Sequence, residues 1–469
     1  MTRASYHESL RTGALAGLLI ASGCTGLTAD NDPGEDTYLE GGAIAVDDRT
    51  ETAFVLQTVC DDRAGDTCRG SETKTVHAIH PDDGPLDAFD VTGLSDLRIL
   101  FPDGSVMIMG ERGTSEEEIR LLDPTTLEPR VAPATVEAQY RGTRMSQSRR
   151  WLAVADNAAV NDPIHIIDAS DTSLPTREIP HDGQWLEAMW LNQSDELVAI
   201  VFDGEGTGSP SARILSWTMQ DLSDAGFPED SGFWASPNLD ITVPDTEPDA
   251  LFSYTWVGVH PDDEYAVFPV RQEGDHRLLV LNLADEELRT VPDARGPVGF
   301  SPDGSTIVSY RYDDMGSETD TQLLLIDTET LDEEPLSIPI DGGPTYFVTR
   351  EGNSVVVASN LGNQPLVLYD LDMAEVTELG GPNVGLTEFV SRVDHGELWI
   401  VDDGLHRLDF LDPTPTIETV ALDWTPAHVN ILRVRDQLVL DDADGDRILF
   451  WSPSSRETVR EVLLPEPAM

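Results

Sequence analysis

Apolar residues in this chain occur in short runs that are separated by turn residues. From about residue 40 onward, no long stretch shows the 3.6-residue period of an amphipathic helix. One unit recurs instead: an apolar run, a turn such as Pro-Asp-Gly, a second run, a variable loop, a third run that ends in Asp or Asn, and a fourth run. Short runs bounded by turn residues are typical of β-strands, so the pattern predicts an all-β fold.

The clearest copy of this unit spans residues 299–340. Its turn is Pro302-Asp303-Gly304, in which proline presets φ, aspartate accepts hydrogen bonds from nearby backbone, and glycine adopts the positive φ of a tight turn. The strands after this turn are predicted at residues 306–310, 323–326 and 336–340.

The end of the third run serves as a marker for counting units. It falls at His80, Asp123, Asp168, Trp217, Asn282, Asp327, Asp370, Asp412 and Ser452. Successive markers are 40 to 49 residues apart, apart from one step of 65 residues. This spacing predicts a β-propeller of four-stranded blades, in which each blade buries its faces against its neighbours.

Nine units are counted, whereas propellers usually have four to eight blades. Either the ring is unusually large, or one unit, above all the cysteine-bearing first, is not a standard blade. We therefore expect a single ring of about eight (seven to nine) blades. Two rings of four and five blades are the less natural alternative. The Asp-Gly turn repeat resembles the repeats of TolB-like and WD-repeat-like bacterial propellers, over nearly all of the chain after residue 40. The resemblance implies an architecture and no particular function.

The charge balance restricts the partners that this chain can bind. Asp and Glu number 87 against 29 Lys and Arg, the net charge is -58, and Lys74 is the only lysine. Such a negative field repels nucleic acid, and it destabilises the compact state unless salt screens it. We therefore expect no nucleic-acid partner and a protein adapted to high salt (halophilic). A GC-rich genome that favours Arg and Asp codons is the alternative source of this composition.

The first 23 residues have the features of a signal peptide. Arg3 and Arg11 precede a short apolar run at residues 15–20, which is too short to span a bilayer. The following segment Ala-Ser-Gly-Cys, residues 21–24, resembles the lipobox of bacterial lipoproteins, although that family prefers leucine where Ala21 stands. The resemblance implies export and a lipid on Cys24; an ordinary signal peptide with an incidental cysteine is the alternative.

The residue after the lipidation site bears on localisation. Lipoproteins retained in the inner membrane carry aspartate there, and this chain has Thr25, so the resemblance implies the outer membrane of the cell envelope. We expect residues 24–40 to form an acidic tether and residues 41–469 to form the propeller, with an insertion around 218–250.

The two other cysteines, Cys60 and Cys68, are the first and last residues of a segment of nine residues. In an oxidising compartment an even pair predicts a disulfide. The intervening acidic residues make a metal site conceivable, but two thiols without a second pair or a nearby histidine are weak evidence for zinc.

Asp442, Asp444 and Asp446 alternate around a glycine turn, which is an arrangement that a calcium site requires. They lack the bidentate glutamate of an EF-hand loop. Because acidic runs are common in this composition, the competing interpretation is a solvated turn. We therefore expect no cofactor, with calcium at these three residues as the alternative.

The 65-residue step contains about twenty residues more than its neighbours, including Phe227, Phe233 and Trp234. Insertions in propellers emerge at one face of the ring, where partners bind. These aromatic side chains are predicted either to bind a partner or to fold back on their own blade as a structural plug.

The chain contains no GxSxG, HExxH, P-loop or CxxC motif. We therefore expect a non-catalytic, monomeric binding or scaffold protein of the cell envelope, attached to the membrane only by its lipid. Its rim and central channel would bind an envelope protein, a peptide or a glycan. The alternative is a metal-dependent hydrolase that resembles the propeller lactonases, with carboxylates from several blades meeting in the channel.

Overall fold

The computed structural model describes most of the chain after residue 36. The described residues are 37–39, 44–60, 63–64, 67–68, 72–112, 116–136, 142–146, 148–155, 163–171, 174, 176–179, 185–191, 195–203, 211–219, 239–248, 258–262, 264–301, 303–312, 321–337, 344–348, 354–359, 365–370, 375–386, 388–392, 395–412, 414–442 and 447–464.

Forty strands are present in these ranges. Up to the third blade they are β1 Thr37–Leu39, β2 Ile44–Asp47, β3 Thr52–Cys60, β4 Arg63–Ala64, β5 Thr67–Cys68, β6 Glu72–His80, β7 Gly84–Asp90, β8 Ser95–Leu100, β9 Val106–Arg112, β10 Glu116–Leu122, β11 Ala134–Val136, β12 Gly142–Met145, β13 Trp151–Ala155, β14 Ile164–Asp168 and β15 Thr176–Ile179. In the fourth to sixth blades they are β16 Trp185–Leu191, β17 Glu196–Asp203, β18 Ser211–Thr218, β19 Leu239–Pro244, β20 Thr246–Pro248, β21 Gly258–Val259, β22 Tyr265–Gln272, β23 Asp275–Asn282, β24 Glu287–Pro292, β25 Arg295–Phe300, β26 Thr306–Tyr312, β27 Thr321–Asp327 and β28 Glu333–Ser337. In the last three they are β29 Pro344–Val348, β30 Ser354–Ser359, β31 Val367–Asp370, β32 Glu375–Glu378, β33 Glu388–Arg392, β34 Glu397–Val401, β35 Leu405–Asp409, β36 Ile417–Val420, β37 His428–Leu432, β38 Gln437–Asp441, β39 Arg447–Ser452 and β40 Glu457–Leu463.

These strands form nine four-stranded antiparallel blades, which confirms the predicted propeller at the upper end of the expected blade number. Each blade uses consecutive strands in chain order, and first strands of neighbouring blades contact one another, so the first strand lies nearest the ring axis. The expectation that the first unit is not a standard blade is wrong. It forms the sheet β2-β3-β6-β7, and its extra residues make only a small hairpin, β4-β5, between the second and third strands.

The blades close into one ring. Buried apolar side chains of consecutive blades share common cores, as Leu56 and Leu97 do between blades 1 and 2. Ile44 of the first blade shares a core with Leu432 of the last, so the ninth blade packs on the first. A split into two rings of four and five blades is therefore excluded.

Several third strands end close to the predicted markers where Asp or Asn caps the following turn. The carboxylate of Asp327, the last residue of β27, accepts hydrogen bonds from the backbone N–H of Glu329 at 3.1 Å and of Thr330 at 2.7 Å. The side chain of Asn282 accepts equivalent bonds at the end of β23. Such side-chain turns stop a strand at a fixed residue, which is why the repeat is regular in sequence.

The two ends of the ring differ in which connections they carry. We call the end with the turns between first and second strands, and between third and fourth strands, the AB face. The opposite end, with the connections between second and third strands and between successive blades, is the BC face. The β4-β5 hairpin therefore lies on the BC face, and the end of β18 and the start of β19 lie at the AB face. No helix in the described ranges is long and apolar enough to cross a membrane.

Candidate functional site

The channel edge of blade 2 carries one strand more than its own four. Strand β1 pairs antiparallel with β8, the first strand of that blade, with Thr37 opposite Ile99 and Leu39 opposite Leu97. It is thus added on the side of β8 that faces the ring axis. A segment from outside the repeat satisfies backbone groups that an open strand edge would otherwise expose.

Arg98 marks this place in the core. Its residue is fully buried, and its backbone lies opposite Tyr38 of β1. A guanidinium is rarely buried completely, because removing the charge from water is costly unless other groups interact with it. The buried charge of Arg98 therefore distinguishes the core beside β1 from the apolar cores between the blades.

The ring closes on the AB face through the turns of blades 1 and 9. The Asp48 carboxylate accepts hydrogen bonds from the backbone N–H of Arg433 at 2.7 Å and of Val434 at 3.4 Å. Burial raises the pKa of Asp48, against the opposing effect of these donors. The side chain of Asn430 donates to the carbonyl of Ile44 at 2.9 Å. The closure thus combines an apolar core with specific polar contacts.

Two arginines of blade 9 extend the closure. Arg435 pairs with Asp82 at 2.7 Å and also contacts Glu51, both in turns of blade 1. Arg460 on the outermost strand donates to the carbonyl oxygens of Pro81 and Asp82. Opposite charges and directed donors therefore fix the register of the last blade on the first.

A second charged cluster joins blades 8 and 9 on the AB face. Arg392 is buried; it contacts Glu397 and forms a two-pronged pair with Asp436, at 2.7 and 2.6 Å. Glu397 also accepts a bond from the indole N–H of Trp399 at 3.1 Å and pairs with Arg407. These contacts join side chains of blade 8 to Asp436 in the AB turn of blade 9, which gives the cluster a structural role.

On the BC side, the seam between blades 9 and 1 contains two polar pairs. Nε2 of His77 lies 2.9 Å from Oε1 of Gln57, and burial lowers the pKa of His77. Nδ1 of His428 lies 2.9 Å from Oδ1 of Asp441, whose side chain is fully buried. Because side chains alternate along strands, His77 and Asp441 lie on the same faces as the apolar residues of this seam.

The structure separates the residues that the sequence singled out. Asp442 follows β38 on the BC face of blade 9, next to the His428–Asp441 pair, whereas Asp444 and Asp446 lie outside the described residues. Cys60 ends β3 and Cys68 lies in β5, on the BC face of the adjacent blade 1, and their predicted disulfide stays a prediction. Cys24, Phe227, Phe233 and Trp234 lie outside the described residues.

Of the range 218–250, residues 239–248 belong to strands. β19 is the fourth strand of blade 4, and β20 shares the first-strand position of blade 5 with β21. Within the described part of the chain, no group of three or more His, Cys, Asp or Glu side chains could hold a metal ion.

Several of the residues described above were not identified from the sequence. Arg98 interrupts an apolar run, so a charge at a core position was a visible signal. The pairing of His428 with Asp441 depends on strand register, and the closure by Asp48 joins residues from opposite ends of the chain. A single sequence offers no signal for either contact.

No family model matches the chain, and no curated protein sequence matches it. Among solved structures, it is similar to hydrazine synthase of Kuenenia stuttgartiensis, with 11% identity, 69% of this chain and 95% of that chain covered, and a TM-score of 0.40. The dihydro-heme d1 dehydrogenase NirN is 16% identical, with 91% and 75% covered and a TM-score of 0.46. An oligogalacturonate lyase of Vibrio parahaemolyticus is 13% identical, with 82% and 100% covered and a TM-score of 0.38. Likeness at this level carries no argument about function, and the nine-bladed architecture rests on the strand pairing itself.

Proposed function

We propose that this chain is a lipid-anchored binding protein of the bacterial cell envelope, whose ring binds an extended segment of a partner protein at the central channel. The observation that carries the proposal is the pairing of β1 with β8. A strand is already added to a channel edge, and strand addition is a general mode of peptide recognition in which main-chain hydrogen bonds supply the affinity.

The geometry of the other blades supports the same mode. In the described residues, the first strands of blades 3, 4 and 6 to 9 pair only with the second strands of their own blades. Each of these strands has one edge toward the ring axis, as β8 has, and an extended peptide can add to such an edge as β1 adds to β8. A rigid ring of such edges provides a preorganised surface, which lowers the entropic cost of binding.

The alternative, a metal-dependent hydrolase, requires several ligands that converge on one ion. In the described part of the chain no group of three or more such ligands is found, and Glu397, Asp436 and Asp327 are engaged in arginine pairs or turns. We therefore put binding before the hydrolase alternative.

Site-specific photo-crosslinking in intact envelopes tests this proposal. A photoreactive amino acid is placed at Ser95, the exposed first residue of β8, and at Thr425, which precedes the first strand of blade 9. Matched control positions are Asp87 and Glu287, exposed on the outermost strands of blades 1 and 5. We expect a discrete adduct with one envelope protein from the channel positions and none from the outer strands.

Crosslinking is carried out at the salt concentration of the source, because salt screens the repulsion between the many carboxylates of this chain. Adducts that come equally from the outer strands, or no adduct from either channel position, would overturn channel binding. The anchor is tested separately: Cys24→Ser is expected to release the protein into the soluble fraction and to abolish incorporation of a fatty-acid probe.

A further inference from the structure

The direction of β1 shows on which face the N-terminal part of the chain reaches the ring. β8 runs from the BC face toward its AB turn, and β1 is antiparallel to it. Thr37 pairs with Ile99 near the AB turn, whereas Leu39 pairs with Leu97 farther from it. β1 therefore begins on the AB side of the channel and ends farther toward the BC face.

The length of chain before β1 limits where Cys24 can lie. Twelve residues separate Cys24 from Thr37. An extended chain spans at most ~3.6 Å per residue, so the lipid lies within about 45 Å of the channel mouth on the AB face. To reach the BC face, the chain would have to cross a blade from its innermost to its outermost strand, over three strand spacings, and then run down the height of the blade. This path is about 40 Å long, without the detour around side chains. That path would take nearly the whole reach of the segment, so we expect a lipid on Cys24 to lie on the AB side.

An independent feature lies on the same side. The described residues include five exposed large hydrophobic side chains; four lie in AB-face turns or three residues beyond one, and the fifth, Leu463, with an exposed fraction of 69%, ends β40 on the BC side. Leu411 and Val434, with exposed fractions of 67% and 61%, project from turns of the adjacent blades 8 and 9. The remaining members of the four are Val459 of blade 9 and Leu86 of blade 1.

From these two features we infer that the AB face of blades 8, 9 and 1 lies against the lipid bilayer, with Leu411 and Val434 in contact with it, and that the BC face points away. This orientation rests on the lipid anchor of the proposed function. It leaves the BC mouth of the channel, the β4-β5 hairpin and Asp442 accessible to a partner. The bilayer surface that fits is zwitterionic, because anionic lipid repels a chain of charge -58. Apolar side chains held at a membrane surface are stabilised when they enter the boundary between lipid headgroups and acyl chains.

Quenching of a probe by brominated lipid tests the orientation. Lipidated full-length protein carrying Leu411→Cys or Val434→Cys is labelled with a thiol-reactive fluorophore and reconstituted in phosphatidylcholine vesicles that contain brominated phosphatidylcholine. The matched control is Thr425→Cys, exposed on the BC face between the same two blades. We expect loss of fluorescence at 411 and 434 relative to vesicles without bromine, and none at 425.

Three controls make the outcome decisive. Labelling of the chain without an introduced cysteine measures any reaction at Cys60 and Cys68, and unchanged melting temperatures show that the variants fold. Mass spectrometry shows the lipid on Cys24. If the chain is lipidated and quenching is found at 425, or at none of the three positions, the orientation is wrong while the anchor stands. If no lipid is found, the anchor in the proposed function has failed instead.

Discussion

The backbone N–H of Arg433 donates a hydrogen bond of 2.7 Å to the Oδ1 atom of Asp48, across 385 residues of chain. The same oxygen accepts a bond from the N–H of Val434, so one carboxylate satisfies two donors in the AB turn of the last blade. Repeat proteins whose blades contact only their neighbours depend on such closing contacts, because an open end would expose a whole blade face.

Asp48→Ala is expected to destabilise the ring by about 1–3 kcal/mol, because it removes the acceptor of the partly buried N–H of Arg433 and of the exposed N–H of Val434. Asp48→Asn keeps an acceptor oxygen at that position and is expected to cost less. The free energy of unfolding in urea measures both. Glu287→Ala, at an exposed position on the outermost strand of blade 5, is the control. Equal stability of Asp48→Ala and wild type would show that the closing contact contributes nothing.

The fold was largely predictable because local chemistry repeats along the chain. Turn residues and strand-ending carboxylates such as Asp327 act within a few positions, so one sequence reveals them. The exact blade number was not predictable, since the first unit contains an additional hairpin and ring size depends on how whole blades pack. The site depends on long-range contacts. The placement of β1 on β8 and the contact of Asp48 with Arg433 join segments that no periodic pattern relates.

The close approach of His260 to Gly304 supports a second prediction. A Cβ atom at Gly304 would lie 1.8 Å from Nε2 of His260, and the φ of Gly304 is +74°. Gly304→Ala is therefore expected to cost roughly 3 kcal/mol or more, from backbone strain and overpacking together. Gly274 has a φ of +88° and nothing within 4 Å, so Gly274→Ala measures the strain alone, at about 1–2 kcal/mol.

Removing the histidine tests the cause of this difference. The double variant Gly304→Ala, His260→Ala removes the clash. It also removes the edge contacts that the His260 ring makes with Tyr265 and Phe300. We expect the double variant to be less destabilised than the sum of the two single variants, because the sites share one contact. Simple additivity in urea unfolding would show that His260 is not the obstacle.

A third prediction concerns acidification. Burial lowers the pKa of His77 from its ordinary value of 6.5, so the folded state disfavours the protonated ring. The contribution of His77 to stability is therefore fully present above pH 6.5 and is lost as the pH falls through the lowered pKa. His77→Gln retains a polar partner for Gln57 but does not titrate. We expect its melting temperature to fall less between pH 7 and pH 5 than that of wild type; parallel curves would contradict this explanation.

A fourth prediction concerns the cysteines of blade 1. With Cys24 lipidated, Cys60 and Cys68 are the remaining thiols of the chain. We expect thiol counting on denatured, unreduced protein to find none, and Cys60→Ser to expose one. Reduction is expected to lower stability by about 2–3 kcal/mol, the value for closing so short a loop. Two reactive thiols in the unreduced protein would remove the disulfide and restore the metal interpretation of this hairpin.

The last prediction follows from the charge of -58. Exposed carboxylates repel one another over the Debye length, which shrinks from about 30 Å at 0.01 M to about 3 Å at 1 M salt. The melting temperature is therefore expected to rise markedly over this range of NaCl. Buried pairs such as Arg392 with Glu397 are screened much less. Salt is therefore expected to weaken the repulsion between exposed carboxylates while the ion pairs between blades 8 and 9 remain. Arg392→Met, which leaves Glu397 and Asp436 without this partner, should lower the melting temperature at both salt levels. A wild-type melting temperature that stays flat between the two concentrations would show that the charges are already balanced locally and that the chain is not adapted to salt.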